Sequence, residues 1–296
     1  MSGWPGDADA VIRRIRAELA AADDQLGGLD AVRISADLRG DDLEQLTFEA
    51  SGVALQLRRQ PSATPPPGIA SAHSDRTAAT AIRSRRPGIA RRVRLIAAQA
   101  RVDGIPLTVD VELLDLPIDW LEYEEPSDPT RPETVVGIDV RDDEGVRGAL
   151  SASIRSNDIG PLFERIARAA LEADGVDIRS VRIDLRQDGA DGIRIAARVG
   201  VRWKLLSASA RMRARLRISP DAVVTVRDLG VSSRNPIVAL ALFAARTQVR
   251  AQIGRTLDLN DETSSSGVRL HDVRLTAGRD LKLSARVGKS VSSRRR

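Results

Sequence analysis

Hydrophobic and polar residues trade places along this chain in a recurring order: a stretch with helical spacing, then two stretches that alternate residue by residue. Val11, Ile12, Ile15 and Leu19 lie at helical spacing behind Asp7, a plausible N-cap, and predict a helix around Ile12–Leu26 that Gly27-Gly28 ends. Val32, Ile34, Ala36 and Leu38 then alternate with polar residues, and Leu46, Phe48 and Ala50 do so across Arg39–Asp42. That pattern is a hairpin with one buried face. A second copy pairs the helix at 162–173 with alternating sequence over 181–201. A third pairs a helix over 237–257 with alternating sequence over 268–288. In the second copy Asn157 or Asp158 can cap the helix, and Pro161 falls in its first turn, where a missing N–H costs little.

Self-similarity on this scale predicts a fold assembled from helix-plus-hairpin units. The excess of strands and the lack of βαβ alternation place it in the α+β class, as a long curved antiparallel sheet wrapped around two or three helices. Ile195, Val199 and Trp203 belong to one long alternating strand, whose apolar parity switches at Leu205-Leu206 and continues through Met212 and Leu216. Such a slip marks a bulge or a tight turn. The expected organisation is one domain made of 1–57 and 92–288. A Pro-, Ser- and Ala-rich loop or linker without periodicity covers 58–91, and a basic tail covers 289–296.

Composition narrows the chemistry. Of 296 residues 42% are hydrophobic but only 2% aromatic, so the core is built of small aliphatics. Cysteine is absent, which excludes disulfides and thiolate metal sites. The formal charge is +5, yet Lys289, Arg294, Arg295 and Arg296 supply four positive charges at the very end, and the body is close to neutral. No stretch approaches the roughly 18 apolar residues of a transmembrane helix. The first residues show no apolar run of signal-peptide length, so the expected setting is cytoplasmic, peripheral to the inner face of the membrane.

Enzyme chemistry finds no purchase. There is no phosphate loop, nucleophile elbow or zinc-protease motif, and the two histidines are His73, in the linker-like stretch, and His271, on a predicted strand face opposite the apolar residues. No catalytic residue, metal ligand or cofactor site is therefore assigned; the acidic Pro-rich stretch Glu122–Glu144 reads as a solvated loop rather than a calcium site. Two basic features stand out. Arg83, Arg85, Arg86, Arg91, Arg92 and Arg94 fall in one acid-free stretch, and Arg211, Arg213, Arg215 and Arg217 alternate with Met212, Ala214 and Leu216. Such a strand face is either solvated against neighbouring acids or attracted to anionic headgroups, at about 1 kcal/mol per Arg. The shortage of stacking aromatics counts against nucleic acid. Trp120 and Tyr123, at the meeting of an apolar strand and the acidic loop, either reach a lipid interface or lid the core.

The stretch 235–260 leading into 267–288 resembles the C-terminal part of actinobacterial LmeA-like phospholipid-binding proteins, and the likeness extends through most of the chain apart from 58–91. That family is similar in turn to the tubular lipid-binding superfamily, in which a curved sheet wraps a long helix and encloses acyl chains. The resemblance implies a non-enzymatic binder of phospholipid or another acyl lipid. Candidate lining residues are Leu162, Ile166, Ile195, Val199, Trp203, Met212, Leu216, Val238, Leu242 and Phe243, with Arg211, Arg213 and Arg215 for the headgroup or the membrane surface. The alternative is a cytoplasmic scaffold that uses the same sheet and its Arg-rich surface to hold a protein or nucleic acid. Oligomeric state is not read from the sequence.

Overall fold

Asp7 does cap the first helix: its Oδ1 accepts from the Ala10 amide at 2.7 Å, and α1 (Ala8–Ala22) follows. The helix starts earlier than its apolar stripe, and Leu26, expected to be helical, lies instead in the two-residue strand β1 (Leu26–Gly27). These coordinates are a computed structural model that describes residues 4–22, 26–57, 81–126, 132–141, 145–171, 176–203, 206–233, 235, 247, 250–251, 253–263 and 269–288. The structure is mostly β-sheet (64%) with few helices (17%), which places it in the α+β class. The chain divides into two compact units: Met1–Ser151 with Asn260–His271 and Ala285–Arg296, and Ala152–Leu259 with Asp272–Ser284.

In the first unit β2 (Arg33–Arg39) and β3 (Asp42–Glu49) form the hairpin expected from the alternation, with Ile34 opposite Phe48 and Ala36 opposite Leu46. Next come β4 (Ala54–Leu57) and the long hairpin of β5 (Ile82–Val102) and β6 (Ile105–Tyr123). Residues 82–91, expected to be linker, are thus strand. Their polar side chains hid the strand, because ion pairs rather than apolar contacts occupy that face. The pairing is not purely antiparallel either. Both β3 and β4 run parallel to β5, and β5 pairs antiparallel with β6 on its other side. The connection between β3 and β4 keeps bonding to β5: the amides of Ala50 and Gly52 donate to the carbonyls of Ile96 and Ala98. β7 (Val136–Val140) pairs with β6, and β8 (Arg147–Arg155) stands next to β6 in the sheet order.

The core of this unit lies under α1, where Val11 and Ile15 meet Leu43, Leu46, Ala90, Leu116, Ile118 and Trp120. Trp120 is 1% exposed and meets Trp4 edge to face, with ring centroids 5.5 Å apart. Each indole finds an acceptor, Trp120 Nε1 donating to the Asp41 carbonyl at 2.8 Å and Trp4 Nε1 to the Gly137 carbonyl at 3.0 Å. Gly88 makes room for this arrangement. A Cβ there would stand 2.3 Å from the Asp41 carbonyl oxygen and 2.6 Å from Trp120 Nε1.

The second unit starts with α2 (Ser156–Leu171) and a five-stranded antiparallel sheet in the order β13-β12-β11-β10-β9. Its strands are β9 (Val176–Gln187), β10 (Gly192–Trp203), β11 (Leu206–Ile218), β12 (Val223–Ser233) and β13 (Thr256–Asp258). Because α2 begins at Ser156, Pro161 falls in its second turn rather than its first. The helix packs on β9, and Gly160 comes so close that its Cβ position would be 3.1 Å from the Val181 carbonyl oxygen. Trp203 pairs with Leu206, so the parity switch falls where β10 and β11 join as a hairpin, and residues 204 and 205 lie outside the described residues. The expected helix over 237–257 falls mostly outside the described residues; Thr247 and Arg250 are helical, whereas Thr256–Asp258 is strand.

A short helix α3 (Leu259–Thr263) precedes the last hairpin, β14 (Leu270–Ala277) and β15 (Asp280–Val287), where the third copy predicted it. The Gln187 side-chain amide, at the end of β9, mimics one rung of a β-ladder: its Oε1 accepts from the Ala277 amide at 2.8 Å and its Nε2 donates to the Leu275 carbonyl at 3.4 Å.

Two glycines test this packing. Gly88→Ala is expected to lower the unfolding free energy by about 1–3 kcal/mol through overpacking against Trp120 and the Asp41 carbonyl. Gly230→Ala, where nothing lies within 4 Å of the new methyl, is expected to change it by less than about 0.5 kcal/mol. Denaturant unfolding followed by circular dichroism measures both. Equal losses would contradict the seat assigned to Gly88.

Candidate functional site

Successive side chains of a strand point to opposite faces of its sheet, and the register of β9–β12 makes that rule sort chemistry with little mixing. Ile195 stands opposite Leu185 and Ala214, Ala197 opposite Ile183 and Met212, Val199 opposite Val181 and Ala210, and Ile193 opposite Leu216. On β12, Leu229 faces Ala214 and Val231 faces Met212. One side of the four strands is therefore an aliphatic face, ended by Gln187 in the Ile193 row on β9 and by Ser233 in the Val199 row on β12. Ile193, Ala197 and Ala214 are buried in it, and Ile195, Val199, Met212 and Leu216 are half-buried.

Of the expected lining residues, those last four share this face. Leu162 is half-buried on α2, next to Phe163, which is 53% exposed. Ile166 and Trp203 have their backbones in α2 and β10, with side chains outside the description, and Val238, Leu242 and Phe243 lie outside the described residues.

The opposite face carries arginine in cross-strand rows. Arg198 stands directly opposite both Arg182 and Arg211, and Arg194 directly opposite both Arg186 and Arg215. Between the rows Ala196 lies opposite Asp184 and Arg213. The two rows differ in their counter-ions. Asp188 takes Arg194 at 2.8 Å and Arg215 at 3.8 Å, Asp184 takes Arg186 at 3.0 Å, and Asp191 takes Arg217 at 3.4 Å. Arg182, Arg198 and Arg213 are exposed and form no ion pair among the described residues, while Arg211 is half-buried and partnered. Of the expected headgroup residues, Arg213 alone is thus exposed and unpaired. Arg182 and Arg198 were missed, although their alternation with Val181, Ile183, Ala197 and Val199 carries the same period-two signal.

The other basic stretch has a different fate. Arg85 pairs with Asp119 at 3.1 Å, Arg86 with Asp41 at 3.4 Å, Arg91 with Asp42 at 2.8 Å, Arg92 with Glu112 at 3.1 Å and Arg94 with Asp110 at 3.2 Å. Hydrogen bonds donated to Asp42 and Asp110 raise the pKa of Arg91 and of Arg94 above the ordinary arginine value. Asp119 is 4% exposed and holds Arg141 as well, at 3.4 Å. Here the solvated, acid-matched reading holds and the stretch is largely neutralised.

Trp120 and Tyr123 are both buried, Tyr123 at 7% exposure, and so take the role of core residues rather than of interfacial rings. His271 is half-buried on β14 and has a partner. Among the described residues no group of three or more His, Asp or Glu is arranged to hold a metal ion, and no helix is long and apolar enough to cross a membrane. A pocket of about 290 Å³ lies in the first unit, lined by Arg33, Glu49 and Ser51 with small neighbours, and is too polar for an acyl chain. Comparisons with known protein families, with curated proteins and with solved structures each find no match.

Burial is the chief cause that raises the Tyr123 phenol above its ordinary value of 10.0, with Arg14 opposing it. The folded state thus holds the proton more tightly than the unfolded one. This contribution is intact below pH 10.0 and is lost as pH rises through the folded-state value. Tyr123→Phe is expected to flatten the fall in stability above that pH, as read by thermal melts over a pH series. An unchanged alkaline slope would place the phenol in solvent.

Proposed function

We propose that the protein binds an acyl-chain lipid, a phospholipid being the leading class, against the aliphatic face of β9–β12, with no chemical step. The observation that carries this reading is the continuity of that face: the rows through Ile195 and Ala197 are aliphatic or Met on all four strands, and the flanking Ile193 and Val199 rows each end on one polar residue, Gln187 and Ser233. Hydrophobic transfer favours such an environment by about 0.8 kcal/mol for each CH₂ covered, so ten methylenes amount to roughly 8 kcal/mol before the cost of ordering the chain. Contacts of this kind are non-directional, which makes selectivity among acyl chains loose.

The resemblance to LmeA-like proteins leads to the same class, and with it to a tubular arrangement in which a curved sheet encloses the lipid. In that reading Leu162 and Phe163 lie at the margin of the acyl chain. The setting that fits is the inner side of a membrane, where lipid is exchanged by a peripheral protein.

Native mass spectrometry of gently purified full-length protein tests the proposal. A lipid-sized mass increment, released on activation and identified as phospholipid in the organic extract, is the expected result. Val199→Asp, which sets a carboxylate in the middle of the aliphatic face, is expected to lower capture of a fluorescent acyl lipid at least tenfold with an unchanged circular dichroism spectrum. Protein that carries no lipid and takes up none when challenged would overturn the reading. A protein or nucleic acid retained in place of lipid would favour a scaffold.

A further inference from the structure

We infer that the arginine face of the second unit docks on the surface of an anionic bilayer through Arg182, Arg198 and Arg213. Like charges placed directly opposite one another across strands destabilise a sheet, yet Arg182, Arg198 and Arg211 stand in one such row. Four other arginines of this face draw on Asp184, Asp188 and Asp191, whereas Arg182, Arg198 and Arg213 form no ion pair among the described residues. Ala196 lies between Arg198 and Arg213, Gly230 flanks Arg213 on β12 and Gly200 follows Arg198 on β10, none with a side chain long enough to shield a guanidinium group, while Asp184 in the Ala196 row is taken by Arg186. An anionic plane laid over this end of the face supplies the missing counter-charge.

The layout favours a bilayer over nucleic acid. No aromatic side chain interrupts the arginine rows, so bases would have nothing to stack on. The major groove of a duplex, about 12 Å wide, admits a helix or a two-stranded ribbon. Here the cations spread over three strands spaced about 4.8 Å apart, on the face of a five-stranded sheet rather than on a two-stranded ribbon. A membrane surface is a broad plane of phosphates with no such limit. Near it each arginine is worth about a fivefold gain in partitioning. The face lies on the reverse of the aliphatic one, so this inference does not rest on acyl-chain binding.

Co-sedimentation of the full chain with phosphatidylglycerol/phosphatidylcholine vesicles, and with pure phosphatidylcholine vesicles, tests it. Binding to the anionic vesicles alone is expected, weakening as salt is raised. The triple variant Arg182→Gln, Arg198→Gln, Arg213→Gln is expected to lose about a hundredfold in partitioning. A triple variant of equal charge change on the first unit, Arg33→Gln, Arg39→Gln, Arg101→Gln, is expected to lose less than tenfold. Equal losses in the two variants would overturn the inference, since net charge alone would then explain binding. So would wild-type protein that ignores the vesicles but binds a DNA duplex through the same three arginines. Native mass spectrometry of the first variant separates the two proposals: lipid retained while vesicle binding is lost leaves the acyl site standing and places docking on the arginines.

Discussion

The pleat of β9–β12 is what every functional statement about this chain depends on. Strand residues alternate between faces with a period of two, and a slip of one residue would turn every Arg inward and every Val outward. The register prevents that slip. Trp203 pairs with Leu206 across a two-residue connection, and from there Val199 meets Ala210, Ala197 meets Met212 and Ile195 meets Ala214 without interruption. A shift would bury unpaired guanidinium groups, a far larger penalty than the loss of any one aliphatic contact. The charged face therefore enforces the apolar one. At the end of β9 the Gln187 amide anchors the strand to β14 within the same unit, so that this edge is tied rather than open.

Two arginine-rich segments of similar sequence texture reach opposite electrostatic ends. Along β5 the arginines face acids from several partners: Asp41 and Asp42 at the start of β3, Asp110, Glu112 and Asp119 on β6. Exposed pairs of this kind contribute little stability each, but they cancel the charge of the stretch. On β9–β11 the acids that pair with this face are Asp188 and Asp191 in the turn at one end and Asp184 beside Arg186 on β9, and Arg182, Arg198 and Arg213 form no ion pair among the described residues. Placement of carboxylates, rather than the number of arginines, decides which face can attract an anion.

What could be read ahead of the structure was local. The hairpins at 33–49, 181–201 and 270–287 follow from alternation alone, and the Asp7 cap follows from one side chain and the helical stripe behind it. What escaped was set by distant partners. Residues 82–91 lack an apolar period because their face is occupied by ion pairs with residues 34 to 54 positions away in the chain. Trp120 reads as an interfacial ring until Trp4 and Gly88 bring it a neighbour and a seat, and neither is near it in sequence. The candidate site was half legible. Ile195, Val199, Met212 and Leu216 follow from parity, and Arg213 with them, but the neutralising acid that removes Arg215 from the unpaired set, and the row that adds Arg182 and Arg198, depend on register across three strands.

One sheet thus presents an oily side and a cationic side, the pair of surfaces needed by a protein that holds an acyl chain while it rests on phosphates. The account is tested most directly by methyl-resolved nuclear magnetic resonance of the full chain mixed with a phospholipid carrying a nitroxide on its acyl chain. Paramagnetic broadening is expected at the methyls of Ile195, Val199, Met212 and Leu216, with those of Val11, Leu43 and Ile118 in the first unit's core left sharp. Bound lipid that broadens the core methyls equally, or spares the four on β10 and β11, would contradict it.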